Sequence, residues 1–278
     1  MSTSKSTILI TGASAGIGRA TVQYFAERGW NVAATLRSPE KETELQKLPG
    51  VKLFKLDVTD SESIRAAIAE VVRTFGGLDV VVNNAGYGAV GIFEKATPEQ
   101  VQKQFDTNVF GVMNVIREAL PHFRSKRKGM FINISSMGGR ITFPLYSLYH
   151  GTKWALEGFS EALQFELRPL GIRVKLVEPG SIKTEFVNRG QDFFKKDGLG
   201  EYDQYEQVTY YNTQTAGNNA PGPEVIAKTI WKAANSRSHK LRYPGGAQSK
   251  MLLFVRWLLP LSWFLGIVRS VVEKGFKG

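Results

Sequence analysis

Thr7-Ile8-Leu9-Ile10-Thr11-Gly12-Ala13-Ser14-Ala15-Gly16-Ile17-Gly18 is the stretch on which the reading of this chain turns. Thr7 to Ile10 is a continuous apolar run, suited to a strand buried on both faces. The glycine-rich segment after it is a turn. Arg19 to Arg28 then reads as a helix, with Ala20, Val22, Phe25 and Ala26 apolar and Gly29 as its stop. Glycines let backbone N–H groups come close to an anion, and a helix N-terminus favours its negative charge. The pyrophosphate of a dinucleotide suits such a turn. The spacing of Gly12, Gly16 and Gly18 is Gly-x-x-x-Gly-x-Gly rather than the commoner Gly-x-Gly-x-x-Gly. The flanking strand and helix therefore carry the reading more than the glycines do.

The same alternation continues outward. Further strands are expected over 31–36, 51–56, 80–82, 130–134, 172–177 and, shorter, 240–243. Helices are expected from the Asp60 cap to Phe75, after Thr97-Pro98, from Tyr149 to about Pro169, and from Pro223 to about Asn235. Strands alternating with helices need a parallel sheet covered on both faces. The expected fold is thus α/β: a single doubly wound Rossmann domain over 1–278 with a sheet of about seven strands. Such sheets bind ligands beyond the carboxyl ends of their strands.

The chemically suggestive residues fall on that edge. Leu36-Arg37-Ser38 ends the second strand with no carboxylate for a ribose 2′-hydroxyl, whereas the Arg37 guanidinium suits a 2′-phosphate. NADP(H) is therefore favoured over NAD(H). Asp57, after the third strand, either accepts from an adenine amino group or satisfies turn amides. Asn83-Asn84-Ala85-Gly86 closes the fourth strand with small residues that let a ligand pass close. Asn108 is a polar amide inside the apolar face formed by Val101, Phe105, Val109, Val112 and Ile116. Ser136 ends the fifth strand, where its hydroxyl can hold a carbonyl. Tyr149 and Lys153, four apart, share one helix face. A phenol titrates near ~10; a neighbouring ammonium lowers that value, and a phenol so tuned can exchange a proton with a substrate oxygen.

Composition narrows the classes. The chain has 278 residues, 42% of them hydrophobic, and no cysteine, which excludes disulfides and thiolate chemistry. The three histidines do not cluster, so no metal site is expected. The run after the N-terminus is too short for a signal peptide, and a cytoplasmic protein is expected. From Lys228 to Gly278 ten Lys/Arg face one acid, Glu273, within a net charge of +11. That excess suits anionic lipid, an acidic carrier or an anionic substrate; no nucleic-acid partner is expected. Residues 188–223 break the alternation and are rich in tyrosine and phenylalanine, reading as an irregular substrate lid. The segment 251–268, within an apolar, basic extension over 247–278, is interrupted by Arg256 and Pro260, which argues against a membrane span. It is a pocket wall or core helix, a peripheral membrane contact, or a partner interface.

With these motifs in order, Thr11-Gly12-x-x-x-Gly16-x-Gly18, Asn83-Asn84-Ala85-Gly86, Asn108, Ser136, Tyr149-x-x-x-Lys153 and Pro179-Gly180, the chain resembles the short-chain dehydrogenase/reductases over nearly its whole length. Its Leu36-Arg37 strand end and extended C-terminus resemble the hydroxysteroid/retinol dehydrogenase-like branch. The resemblance implies Tyr149 as acid/base, Ser136 as orienter of the substrate oxygen, and Lys153 as holder of the nicotinamide ribose that depresses the Tyr149 pKa. Asn108 would fix a water in a proton relay. Gly12, Ser14, Gly16, Ile17 and Gly18 would line the pyrophosphate, Arg37 would meet the 2′-phosphate with Arg19 as a second contact, and Asp57 and Val58 would meet adenine. Asn84, Ala85 and Gly86 would line the cleft, and Pro179, Gly180, Ile182 and Thr184 the nicotinamide end. His150, within the motif, departs from the small residue often found there and would leave a titratable group nearby. The implied activity is NADP(H)-dependent interconversion of a carbonyl and an alcohol on a hydrophobic, steroid-, retinoid- or lipid-like molecule, in a homodimer or homotetramer. The alternatives are a 3-oxoacyl-thioester reductase and a non-catalytic NADP(H)-binding regulator.

Overall fold

Strands with apolar residues on both sides pair only inside a sheet that is covered twice, and this is the arrangement found. The computed structural model describes residues 5–184 and 191–276. Seven strands, β1 (Thr7–Ile10), β2 (Asn31–Leu36), β3 (Val51–Lys55), β4 (Val80–Asn83), β6 (Gly129–Ile134), β7 (Ile172–Pro179) and β9 (Arg242–Gly245), form one sheet in the order β3-β2-β1-β4-β6-β7-β9. Every pairing in it is parallel. Side chains alternate across it. Leu9, Ala33, Val81, Phe131 and Leu176 join the core beneath α2 (Ser61–Phe75), α4 (Gly111–Lys126) and α5 (Ser147–Leu167). Ile8, Ile10, Val32, Val82 and Ile132 face α1 (Gly16–Ala26) and α7 (Glu224–Asn235). The chain order reverses between β1 and β4, and such a reversal opens a crevice at the carboxyl ends.

Three local outcomes differ from the sequence expectation. First, α1 begins at Gly16 rather than Arg19, so two of the glycines lie in its first turn. Second, the helix expected after Pro98 has two regular parts, α3 (Pro98–Phe105) and α4, joined by a π turn over Asp106–Phe110 that contains Asn108. Polar Asn108 is buried there because the widened turn carries it toward the site edge.

Third, the stretch 188–223 is not irregular throughout; its first residues, 188–190, lie outside the described residues. β8 (Gln191–Phe193) pairs in parallel with β5 (Gly88–Val90), and α6 (Asp203–Gly217) is a regular helix. Half-buried tyrosines on several sides of α6 hide its periodicity in sequence. Buried Lys95 holds it, its Nζ donating to Asp203 Oδ1 at 3.0 Å and Glu206 Oε2 at 2.7 Å. The extension folds as α8 (Ala247–Leu258) and α9 (Leu261–Val272), joined at Pro260. Asn212 Nδ2 of α6 donates to the carbonyls of Val272 and Lys274, and Tyr205 donates to Glu273, so these elements are one unit. No helix among the described residues is long and apolar enough to cross a membrane.

The glycine turn is packed to the limit. A Cβ on Gly18 would stand 2.2 Å from the Gly12 carbonyl oxygen and 2.6 Å from Asn84 Nδ2. Gly18→Ala must therefore shift backbone; it should cost about 1–3 kcal/mol and lower the thermal midpoint, and an unchanged midpoint in differential scanning calorimetry would contradict this packing.

Candidate active site

The cofactor-side residues meet where β1, β2, β3 and β4 end. Thr11 Oγ1 accepts from the N–H groups of Asn84 and Ala85, both at 3.0 Å. Asn84 Nδ2 donates back to the carbonyls of Thr11 at 2.9 Å and Gly12 at 3.1 Å. Gly12 and Gly16 have φ of +66° and +52°, a region that favours glycine. The N-terminus of α1 has no side-chain cap and no acid in its first turn, so its N–H groups and positive dipole end face outward. A Cβ on Gly16 would stand 3.3 Å from Thr184 Cβ, so the loop after β7 reaches across to the glycine turn. This cradle fits a dinucleotide.

Other candidates are placed as follows. Arg37 is exposed at the end of β2. Asp57 Oδ1 accepts from Thr59 N at 2.9 Å and Thr59 Oγ1 at 2.7 Å. Partial burial works to raise its pKa, but the Thr59 bonds and nearby Arg37 outweigh it and the net shift is downward. Asp57 does satisfy a turn amide, then. Val58 turns into the core and packs against Gly111. Ser14 is exposed, and Ile17 and Ile182 are half-buried against the core on the α1 side of the sheet. Gly86 adjoins Asn108 Oδ1. Pro179 ends β7, and Gly180 N donates to Gly245 O at 3.1 Å. Arg19 is tied to Glu42, whose Oε1 also accepts from the N–H groups of Glu44 and Leu45.

The catalytic-side residues meet between β6 and α5. Ser136 Oγ accepts from Gly138 N at 3.0 Å and is hydrogen-bonded to Tyr149. Lys153 Nζ lies 5.7 Å from the Tyr149 ring centre and donates to Ile134 O at 2.8 Å. Burial pushes the Lys153 ammonium down to about 8, with Glu157 opposing. The expected depression of the Tyr149 pKa is not seen in this arrangement. Burial raises it, and the Ser136 hydrogen bond offsets that only in part. The reason is desolvation: Lys153 is spent on a carbonyl, and a phenolate in this setting has lost its water.

Asn108 is a clamp. Its Nδ2 hydrogens go to Tyr87 O at 2.9 Å and Thr152 Oγ1 at 3.2 Å, and its Oδ1 accepts from Tyr87 N at 3.1 Å. No amide hydrogen is left for a water. Thr152 Oγ1 in turn donates to Tyr149 O at 2.7 Å, so the π turn, the β4–β5 loop and the helix of Tyr149 are joined. Nor does His150 offer a titratable group near neutrality. Burial drives its pKa down to about 4, with the Gly138 contact opposing. Its ring lies between Gly138 O at 2.9 Å and Phe143 N at 3.0 Å, which makes it a neutral brace for the loop after Ser136.

Sequence reasoning missed a buried ionic cluster behind Lys153. Glu157, one turn beyond Lys153, pairs with Arg242 at 2.9 Å; Glu178, with no exposed surface, contacts Arg140 at 3.4 Å and Arg242 at 3.7 Å. The carboxylates come from α5 and β7 and the arginines from β9 and the loop after β6, so no local spacing announces them. Burial, reinforced by Glu157, pushes Glu178 up to about 7, against the two arginines. A carboxyl group with a raised folded-state pKa stabilises the fold fully below its unfolded pKa, and that stabilisation is lost as pH rises through about 7. Glu178→Gln should remove this component. Thermal midpoints between pH 5 and 7.5 should then fall less steeply with pH than in the parent, whereas parallel profiles would exclude the shift.

The comparisons agree with this geometry. A family model described as short chain dehydrogenase matches residues 6–193. The oxidoreductase YusZ of Bacillus subtilis is 36% identical over 277 residues, covering 96% of this chain and 98% of the relative. A 3-ketodihydrosphingosine reductase of Bacteroides thetaiotaomicron is 43% identical over 181 residues, 65% of each chain. A solved short-chain dehydrogenase from Streptomyces avermitilis superposes with a TM-score of 0.81 at 33% identity, over 97% of this chain and 99% of that one. ElxO, solved with NADP bound, superposes at 0.72 and 30% identity, over 88% and 99%. With the glycine cradle and the Ser136–Tyr149–Lys153 cluster on one sheet edge, this chain belongs to the short-chain dehydrogenases and is an oxidoreductase that acts on CH–OH groups.

Proposed function

We propose that this chain is an NADP(H)-dependent oxidoreductase that interconverts a ketone or aldehyde and an alcohol on a lipid-like molecule. One observation carries the substrate class: the loop that follows Ser136 is walled with hydrocarbon. Met137 and Ile141 are buried against Leu253 and Phe264 of the C-terminal helices, with Phe143, Leu252 and Val268 beside them. An apolar cluster bordering the approach to Ser136 supports an apolar chain or ring system as the substrate. The similarity to a 3-ketodihydrosphingosine reductase supports a lipid ketone.

When bound, the reduced nicotinamide supplies the hydride. The rest falls to this chain. The glycine turn and the N-terminus of α1 hold the pyrophosphate, and Arg37 pairs with the 2′-phosphate. Ser136 donates a hydrogen bond to the carbonyl oxygen, polarising it, and Tyr149 Oη gives that oxygen a proton. Lys153 holds the ribose from its place beside the Tyr149 ring. Asn108 acts by holding the Tyr87 loop and α5 in register. Exposed Phe110, Trp154 and Phe165, on the π turn and α5, support a homo-oligomer.

Purified protein should oxidise NADPH in the presence of long-chain ketones, followed by loss of absorbance. Tyr149→Phe should slow this by about a hundredfold or more, and activity equal to the parent's would overturn the assignment. Arg37→Ala should reduce the preference for NADPH over NADH by about tenfold, from loss of one charge-assisted contact. An unchanged ratio of kcat/KM values would reject Arg37 as the 2′-phosphate partner.

A further inference from the structure

The outer side of α8 and α9 has no counterpart in the catalytic reading. α9 is fastened to the protein along one narrow line, with Phe264 and Val272 buried and Val268 half-buried at helical spacing. A helix fastened that way ordinarily carries polar groups around the rest of its circumference. Here Leu261, Trp263 and Ile267 stand in solvent, and Phe254, Trp257 and Leu258 of α8 do the same. Trp257 is 75% exposed and Trp263 68%, an exposure that for contiguous large apolar residues marks a binding surface.

The arrangement of charge selects the partner. The tryptophans and leucines crowd the Pro260 turn. Lys250 lies nearly three turns before that tip, and Arg269 and Lys274 lie two or more turns after it; Arg256, one turn before the tip, is half-buried with its guanidinium over the Phe264 ring at 5.9 Å. The single carboxylate of the hairpin, Glu273, is engaged by Arg269 at 2.8 Å and Tyr205 at 3.2 Å. An apolar, tryptophan-bearing tip with cations set back from it matches the depth profile of an anionic bilayer surface. Hydrocarbon lies below, and headgroup phosphates lie where the cations sit. Two such faces from separate copies would bring like charges together, which disfavours self-association. Each helix is 12 residues, about 18 Å long, too short for a hydrocarbon core of about 30 Å.

We propose that the α8–α9 hairpin docks this protein on anionic phospholipid bilayers, with Trp257 and Trp263 entering the interface and Lys250 and Lys274 meeting the headgroups. The inner side of the hairpin packs on Met137, next to Ser136, so docking turns that side of the catalytic edge toward the lipid. The docking stands on the surface alone and does not depend on which substrate is reduced.

The test is co-sedimentation of the full-length protein with vesicles of phosphatidylcholine alone and of phosphatidylcholine mixed with phosphatidylserine. Binding to the mixed vesicles that weakens with added salt is expected, with little binding to phosphatidylcholine. Trp257→Ser with Trp263→Ser, and separately Lys250→Glu with Lys274→Glu, should each weaken binding by about tenfold or more. NADPH binding, measured in the same preparations, should be unchanged, showing that the fold is intact. Absence of binding to either vesicle, or variants that bind as the parent does, would overturn the proposal. So would a concentration-dependent dimer that disappears in the tryptophan variant, because a second copy would then cover the face.

Discussion

Thr11 and Asn84 exchange hydrogen bonds across the gap between β1 and β4, and the ligand edge depends on that exchange. The Thr11 hydroxyl receives two consecutive N–H groups from the end of β4, and the Asn84 amide returns two bonds to the carbonyls of Thr11 and Gly12. Past the backbone bond from Thr11 N to Val82 O at 3.0 Å, these side chains join the two strand ends. With them, the carbonyls of Thr11 and Gly12 are engaged while the uncapped N–H groups of α1 stay open toward solvent. The close approach of Gly18 to the Gly12 carbonyl follows from the same constraint.

A second network lies beneath the catalytic helix. Asn83 Nδ2 donates to Asn133 Oδ1, and Asn133 Nδ2 to Ser160 Oγ, each at 2.8 Å, so β4, β6 and α5 are joined below Ser136 and Tyr149. Buried amides and hydroxyls are costly unless paired, and their pairing sets one register of helix on sheet. The Glu157–Glu178–Arg140–Arg242 cluster does the same one layer further on, linking α5 to β7 and β9. Lys153 thus lies between the site and a second charged layer.

The small sheet, α6 and the C-terminal hairpin form a cap that the core sheet does not need. It is attached through polar anchors, Lys95 to α6, Gln100 to Asp192, Ser249 to the Glu178 carbonyl and Gln248 to Ser181 N, and through the contact of Leu253 and Phe264 with the loop after Ser136.

The sheet, its direction and the edge that carries the chemistry were legible in the sequence. β1, the glycine turn and α1 are contiguous, and strand and helix periods are local properties. The positions of Arg37, Ser136, Tyr149 and Lys153, at a strand end or at helical spacing, were legible for the same reason. The tertiary structure alone decided the π turn at Asn108, the neutral state of His150, the rise in the Tyr149 pKa and the ionic cluster behind Lys153. Each of these arises from groups distant in sequence that share a desolvated space, and burial, not spacing, sets their hydrogen bonds and charges. The helix α6 was hidden because its buried side is narrow. The sequence by itself determined that a dinucleotide cradle and a tyrosine–lysine pair share one edge of a parallel sheet. What only the fold decided is which polar groups there are left free to act, because desolvation depends on neighbours that the chain order does not reveal.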